Sequence, residues 1–503
     1  MMPVRAAAIA ALLALAPAAA RAQLPHTPDR DACTPDRLLP LDGLADSRAE
    51  LARILEVAGY AEPDHGLSRR RSSTPAVRVC PGFPGDRAAT PLEPDDRRFH
   101  IGLLPVTTLA AYNSAYPDDR ANGVLWAGRG LSALARAGVR ARFGPLTAAI
   151  APELAFSAND DFPTITNRRP GLSEFANPYH PTSLDWPQRF GTDAFSSIHS
   201  GQSYVRIDAF GAAAGFSTEN IWWGPARHNP LLLSNTAPGF PHVFAGTSRP
   251  VDVWIGRLGL EFFWGRVRES GFYDGDPAND RRAFSGQLLT FQPRGLDGLA
   301  LGIAHLHMEI MPPGGYSIGD YLDHVFDNLL VSGSTNKPGN GMGAVFARWL
   351  LPAAGFEVWA EWARDDYAWD LRDFLNEPDH AQVYALGFQK VIPGPGRWFH
   401  LYGELAHLEG AISSRSGRGL TAFYTGEASG LTNRGQLLGA PIGPGSDTQL
   451  LGAGMLSRWG WIGTSLQRIR WDANAYHASW ARDYGAAGYD VEISGAIDFR
   501  TRV

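Results

Sequence analysis

From about Phe99 to the C-terminus, apolar and polar residues alternate with a period of two. The last stretch shows it best, with Val491, Ile493, Ile497, Phe499 and Val503 on one face and Asp490, Glu492, Ser494, Asp498, Arg500 and Arg502 on the other. Side chains i and i+2 of a strand share a face, so the pattern predicts strands with one apolar and one polar face. A soluble sandwich and a transmembrane barrel both satisfy this pattern.

The N-terminus favours the barrel. Residues 1–22 combine Arg5, an apolar run over 6–16 and small residues at positions 20 and 22, which is typical of a cleaved secretory signal. The alternative, a retained membrane anchor, needs an apolar run of about 20 residues. The region 99–503 has room for about 16 to 20 strands at roughly 20 to 25 residues per strand and connection. We therefore expect an all-β, closed transmembrane antiparallel β-barrel in the outer membrane.

The overall charge of the chain limits the kinds of partner that we expect. The formal net charge is −6 and the isoelectric point is near 6.2. Nucleic-acid binding calls for a basic patch, so this balance argues against nucleic acid as a partner. Glycine and aromatic residues are abundant, with 56 Gly, 15 Trp, 15 Tyr and 25 Phe, and this composition fits a strand-rich membrane protein.

Residues 219–250 form the most unusual stretch, ENIWWGPARHNPLLLSNTAPGFPHVFAGTSRP. Its five prolines lack an N–H and fix φ, which predicts an extended, rigid loop and excludes a helix or a central strand. Aromatic faces beside planar donors and acceptors suit a sugar, whose ring face stacks on indole while its hydroxyls need hydrogen bonds. The alternative is a structural plug in which the aromatic side chains only pack.

This stretch and a second one over residues 112–130, YNSAYPDDRANGVLWAGRG, resemble the capsule-assembly Wzi family. The resemblance implies a closed barrel of about eighteen strands with a small helical element at its periplasmic end, and a lectin without catalytic activity. It also implies that loops and the N-terminal part obstruct the pore. The residues that match the family's pattern, and that we take as the candidates for glycan binding, are Trp222, Trp223, Arg227, Asn229, Asn235, His242, Trp126 and Arg129.

Residues 23–98 are predicted to form a small N-terminal periplasmic segment, helical and linker-like. Its cysteines, Cys33 and Cys80, are the two in the chain, and the oxidising periplasm predicts a disulfide between them. A capping-box pattern from Ser47 and an apolar stripe predict a helix over 47–58, ended by Gly59. The arginine run 69–71 is interpreted as a solvated face, with contact to an acidic glycan or anionic lipid as the alternative.

Metal and catalytic motifs are weak. His305, His307 and Glu309 share a strand face, and we interpret them as a polar network inside the barrel rather than a metal site. The acidic loop 274–280 has oxygen ligands but no EF-hand spacing, so an ordinary turn is favoured over a calcium site. Glu357 and Glu361 would lie about 13 Å apart on one strand, beyond glycosidase spacing. The sequence therefore predicts neither a metal nor a cofactor.

The predicted function is binding of capsular or other acidic polysaccharide by a barrel embedded in outer-membrane lipid, with a monomer as the expected state. A diffusion channel for sugars or small solutes is the main alternative function. A polysaccharide hydrolase is a weaker one, because carboxylates on different strands could still converge.

Overall fold

The structure is a computed structural model with all side chains. It describes residues 37–40, 47–63, 67–70, 72–73, 76–84, 90–91, 99–118, 120, 122–165, 171–312, 314–315, 339–365, 381–410, 423–426, 429–476 and 490–501. The predicted signal, residues 1–22, lies outside the described residues. Cys33 does too, so its pairing with Cys80, which is buried and disulfide-bonded, stays a prediction.

Strands dominate the described residues, and helices are few. The strands are Arg37–Pro40 (β1), Ser68–Arg69 (β2), Ala76–Val79 (β3), Thr90–Pro91 (β4), Phe99–Asn113 (β5), Gly130–Phe143 (β6), Leu146–Ile150 (β7), Glu153–Ser157 (β8), Phe195–His199 (β9), Tyr204–Ala209 (β10), Ala212–Ser217 (β11), Trp222–Trp223 (β12), His242–Thr247 (β13), Val251–Val253 (β14), Gly256–Arg268 (β15), Arg281–Pro293 (β16), Leu299–Ile310 (β17), Asn340–Leu351 (β18), Phe356–Asp365 (β19), Gln382–Ile392 (β20), Arg397–His407 (β21), Thr432–Asn433 (β22), Gln436–Leu437 (β23), Asp447–Ser457 (β24), Gly460–Trp471 (β25) and Asp490–Thr501 (β26). The helices are Ser47–Val57 (α1) and the short Ala473–Ala475 (α2), with a 3₁₀ turn at Pro352–Ala354.

One large sheet contains nineteen of the strand segments among the described residues. Its order is β10, β11, β13 to β21, β24 to β26 and β5 to β9, and β10 also pairs with β7. Every pairing with a described register in this sheet is antiparallel, as between β15 and β16 or between β25 and β26. This confirms the prediction of an all-β protein built on antiparallel strands.

The alternation of apolar and polar residues in the sequence corresponds to the two different faces of this sheet. On β26, Ile493, Ile497 and Phe499 are 73%, 83% and 69% exposed on the outer face. On β19, Glu357, Trp359 and Glu361 point inward and are buried. Apolar residues therefore cover the outside, and the polar face is turned inward, where other parts of the chain cover much of it.

The connections differ between the two ends of the strands. At one end they are short, as at 144–145, 210–211, 254–255 and 458–459, and the strands β5 and β26 begin and finish there. At the other end they are long, as at 158–194, 218–241 and 408–446. We call these the short-turn end and the long-loop end. This asymmetry is typical of outer-membrane barrels, whose short turns are periplasmic.

The proline-rich segment is only partly a loop. The prediction that it contains no central strand was wrong, because residues 242–247 form β13, which pairs with β11 on one side and β15 on the other. These six residues lie between Pro241 and Pro250, so no missing N–H interrupts the ladder. Residues 224–241 remain loop, as predicted, and run inside the sheet.

The helix predicted over 47–58 is confirmed as α1. Gly59 has a φ of +78° and ends it, and the N–H of Gly59 donates to the Glu56 carbonyl. Ile54, Leu55 and Ala58 pack against wall residues near the short-turn end, in a cluster that contains Leu350, Val391, Trp398 and Leu456. No helix among the described residues is long and apolar enough to cross a membrane.

The arginine run was only partly predicted correctly. Arg70 is buried rather than solvated, because it pairs with Glu261 at 2.5 Å and donates toward His242 at 2.8 Å. Arg69 is half-buried, with its guanidinium 5.6 Å from the ring centroid of Trp222. Arg71 lies outside the described residues.

Candidate functional site

The loop that follows β12 is held inside the sheet by two carboxylates of the wall. Glu361 on β19 accepts the N–H of Ala226 at 2.7 Å and of Leu231 at 2.8 Å. Glu404 on β21 accepts the N–H of Arg227 and Asn229 at 2.7 Å each, and of His228 at 3.1 Å. We call residues 224–231 the clasped loop. Because prolines 225 and 230 keep it from forming its own ladder, its N–H groups need such acceptors.

Helix α1 faces the clasped loop across the interior and is held by side chains. Arg53 pairs with Glu357 at 2.8 Å, and Arg348 pairs with both Glu357 at 2.5 Å and Glu56 at 2.6 Å. All four side chains are buried. A short ion pair between Glu50 and Arg227 joins the helix to the loop.

A cavity of about 390 Å³ lies between these two elements and the inner face of β25 and β26. It is lined by Ala49, Glu50, Arg53, Arg69, Arg120, Asn122, Trp222, Arg227, His228, Asn229, Pro441, Ile442, Gln467 and Arg500. Five of these residues are arginines and one is a carboxylate. Four of the arginines, Arg53, Arg120, Arg227 and Arg500, are each paired with a carboxylate. Its volume lies within the range of about 300 to 1,000 Å³ found for small-molecule sites.

Burial shifts the titration of the loop residues that line the cavity. Desolvation lowers the pKa of the Arg227 guanidinium, although the carboxylates of Glu357 and Glu404 oppose this. Desolvation also lowers the pKa of His228 to about 4; Glu404 opposes this shift and Arg227 adds to it. At neutral pH the imidazole is therefore uncharged, and the positive charge of the site comes from arginine alone.

The structure brings three of the eight predicted site residues together at the cavity: Trp222, Arg227 and Asn229. Trp223, their neighbour, is fully buried in the main core, 5.4 Å from the Phe263 ring centroid. Its ring offers no face to a ligand in this structure. A glycan contact of these residues stays a prediction.

The other four predicted residues lie apart from the cavity. His242 is buried between Arg70 and the Phe240 carbonyl. The backbone carbonyl of Asn235 accepts the N–H of Gly123. Trp126 packs on Phe190 and Phe195, and Arg129 donates to the Asp161 carbonyl, both in the long loops.

Sequence reasoning missed most of the cavity. Arg53, Arg500 and Glu404 carry no local motif, and Arg120 lies in the stretch 112–130 without having been singled out. Arg53 meets Glu357 across 304 positions of sequence. A weak signal was present in Glu361, which the sequence singled out only as one member of a carboxylate pair. Contacts between residues this far apart in sequence form only in the folded chain, so local residue spacing does not predict them.

Metal-binding arrangements are scarce in the described part of the chain. There, one group of three has its ligand atoms within 4.8 Å of one another, namely His407, Glu409 and Asp447. Asp447 is already paired with Arg468 at 2.7 Å and Arg470 at 2.6 Å, which opposes a cation. His305, His307 and Glu309 do not form such a group, although His307 and Glu309 approach at 3.6 Å.

The acidic loop resembles an ordinary turn. The Asp274 carboxylate accepts the N–H of Asp276 at 2.8 Å, and the Asp276 carboxylate accepts the N–H of Ala278 at 3.0 Å. These are Asx turns, in which each carboxylate accepts the backbone N–H two residues further along the chain.

Comparison with known proteins identifies a family that this chain matches. A family model described as capsule assembly protein Wzi matches residues 127–455. The chain is similar in structure to Wzi of Escherichia coli, described as an outer membrane protein involved in group 1 capsule assembly and as a carbohydrate binding beta-barrel; the identity is 11%, the TM-score is 0.49, and 75% of this chain and 71% of that one are covered.

Two further solved structures are porin-like. Pseudomonas aeruginosa OccK7 (OpdD) has 13% identity and a TM-score of 0.33 over 73% of this chain and 83% of that one. Pseudomonas putida OprB has 9% identity and a TM-score of 0.35 over 74% and 89%. No curated protein sequence matches this chain.

Proposed function

Because this chain belongs to the family of the capsule assembly protein Wzi, we propose that it is an outer-membrane lectin. It binds capsular or related acidic exopolysaccharide and retains it at the cell surface. It acts as a monomer without catalysing a reaction. Residues 1–22 are a cleaved signal, residues 23–98 a periplasmic element, and residues 99–503 the barrel.

We propose a closed barrel of about eighteen strands. The order of the strands supports closure, because β26 stands next to β5 and β10 pairs back onto β7. The outer face supports a lipid environment, since it exposes large apolar side chains such as Leu103, Ile303 and Ile497. A bilayer requires closure because an unpaired edge would leave N–H and C=O groups without partners.

The filled interior is the observation on which the binding role depends. Trp223, residues 231–233 and Phe240 form one core with Phe263 of β15, Phe346 of β18 and Ile469 of β25. The clasped loop and α1 therefore pack against the inner wall where a diffusion channel needs open space. What the interior does offer is the arginine-rich cavity, which suits the carboxylates of an acidic glycan.

The carboxylates around the clasped loop support a non-catalytic role. Glu357 is paired with two arginines, and Glu361 and Glu404 accept backbone N–H groups. A glycosidase needs an acid and a base that can reach a glycosidic oxygen. Glu357, Glu361 and Glu404 instead hold the helix and the clasped loop in place.

Cells that lack the protein test the proposal. Their acidic polysaccharide is expected in the medium, and expression of the wild-type chain restores it to the cell fraction. The purified chain in planar bilayers is expected to show no steady conductance. Open conductance together with unchanged polysaccharide retention would establish the channel, and release of sugar fragments from purified polysaccharide would establish the hydrolase.

A further inference from the structure

The arginine-rich cavity has a graded exposure that defines a mouth and a floor. The side chains of Arg53 and Arg227 are 6% and 4% exposed, whereas those of Arg120 and Arg500 are 26% and 37% exposed. Solvent therefore reaches the cavity beside Arg120 and Arg500, and Arg53 and Arg227 lie at its floor.

Polar atoms at the floor lack partners. Among the described residues, Nη1 of Arg53, Nε of Arg227 and Oδ1 of Asn229 are buried without a hydrogen bond. An unsatisfied buried polar atom costs roughly 1 to 3 kcal/mol, so native proteins satisfy such atoms with protein, water or a ligand. The two guanidinium N–H groups call for an oxygen acceptor, which a carboxylate can supply, and the amide oxygen calls for a donor such as a hydroxyl.

The cavity also borders on an indole. Trp222 is among its lining residues with 1% of the residue exposed, and its Nε1 donates to the Ala226 carbonyl at 3.2 Å, so the indole is fixed in orientation. Indole beside donors and acceptors is suited to the apolar face of a pyranose ring. The enclosed volume of about 390 Å³ holds one sugar residue rather than a chain that passes through.

From these observations we infer that the cavity is a binding site for a single carboxylate-bearing sugar, a uronic acid, either free or at the end of a chain. The carboxylate pairs with the arginines, a hydroxyl donates to Asn229 Oδ1, and the ring lies against Trp222. This inference rests on the proposed function and makes it specific, because it assigns one acidic residue of the polysaccharide to a site inside the barrel.

Calorimetric titration of the full-length chain, in a detergent without a sugar head group, tests the site. D-glucuronate is expected to bind one to one, and D-glucose and inorganic phosphate at least about tenfold more weakly, since each lacks one half of the recognised chemistry. Equal binding of phosphate and glucuronate overturns the sugar assignment. Equal binding of glucose overturns the carboxylate assignment, and an absence of glucuronate binding overturns both.

Two variants place the ligand in the cavity. Arg500→Gln removes a cation at the mouth, and Gln467→Glu adds an anion next to Arg120, whose Nη1 donates to the Gln467 side chain at 2.9 Å, so each should weaken glucuronate binding about tenfold. Arg257→Gln is the matched control, because Arg257 pairs with Asp252 at 3.1 Å as Arg500 pairs with Asp498, but lies outside the cavity. Heat-modifiable mobility on gels verifies that each variant is folded.

Unchanged binding in both folded cavity variants overturns the location. Sedimentation of the native acidic polysaccharide with the same preparations separates this inference from the proposed function. Polysaccharide binding without glucuronate binding overturns the internal site and leaves the lectin function standing. Loss of both refutes the lectin function as well.

Discussion

Helix α1 and the clasped loop occupy the same interior, but the wall holds them in different ways. The helix is fixed through its side chains, because Arg53 forms a buried ion pair with Glu357 and Glu56 forms one with Arg348. The loop is fixed mainly through its backbone, because five of its N–H groups donate to Glu361 and Glu404.

This difference bears on which side chains of the loop face the cavity. The three residues whose N–H groups Glu404 accepts, Arg227, His228 and Asn229, are also the ones whose side chains line the cavity. The anchor acts mainly on the backbone of the loop, apart from the 3.3 Å bond from Asn229 Nδ2. Both elements line the cavity, because Ala49, Glu50 and Arg53 of the helix face it as well.

Removal of the backbone anchor should have the largest effect. Glu404→Ala leaves three buried N–H groups without an acceptor, and we expect the free energy of unfolding to fall by about 5 kcal/mol. Urea unfolding in detergent, followed by heat-modifiable mobility, measures it. Glu404→Gln keeps one acceptor oxygen and should lose less than half as much. A loss below about 1 kcal/mol for Glu404→Ala would contradict the anchoring role.

Removal of a side-chain anchor should come next. Arg348→Ala removes the ion pairs with Glu56 and with Glu357, and a broken buried pair costs about 3 to 5 kcal/mol. The same unfolding assay applies, with Arg257→Ala as control, whose exposed pair contributes about 0 to 1 kcal/mol. Equal losses in the two variants would show that the helix is not held by these pairs.

A smaller effect should appear with pH at the clasped loop. The pKa of His228 falls from 6.5 to about 4 on folding, so between these values the unfolded chain binds more protons. Its contribution to stability is therefore complete above pH 6.5 and is lost as the pH falls toward 4, by about 3 kcal/mol. The variant His228→Gln should lack this part of the pH dependence. An unchanged pH profile would contradict the burial of a neutral imidazole.

The smallest effect is expected at Asn229. Its Nδ2 donates to Glu404 at 3.3 Å, whereas its N–H does so at 2.7 Å. Asn229→Ala removes only the side-chain bond and should cost about 1 kcal/mol in the unfolding assay. A loss as large as that of Glu404→Ala would show that the side chain, rather than the backbone, anchors the loop.

The sequence predicted those features that depend on local pattern. The alternation at β19 and β26 and the helix α1 ended by Gly59 follow from periods of two and 3.6 residues. These periods are properties of neighbouring residues.

The sequence did not predict features that depend on distant pairing. Arg70 is buried because Glu261 and His242 lie on strands 191 and 172 positions away. The aromatic stretch was read as one surface, but Trp222 lines the cavity while Trp223 turns into the core. Which of two adjacent side chains faces a ligand depends on the register of β12 against β2, and that register is set by the folded chain.

Sedimentation of lipid vesicles with the native acidic polysaccharide tests the lectin function most directly. Vesicles that contain the purified wild-type chain are expected to carry the polysaccharide into the pellet, and vesicles without protein to leave it in the supernatant. If the polysaccharide remains in the supernatant at the protein-free level while the chain is folded in the membrane, this protein does not hold polysaccharide at the cell surface.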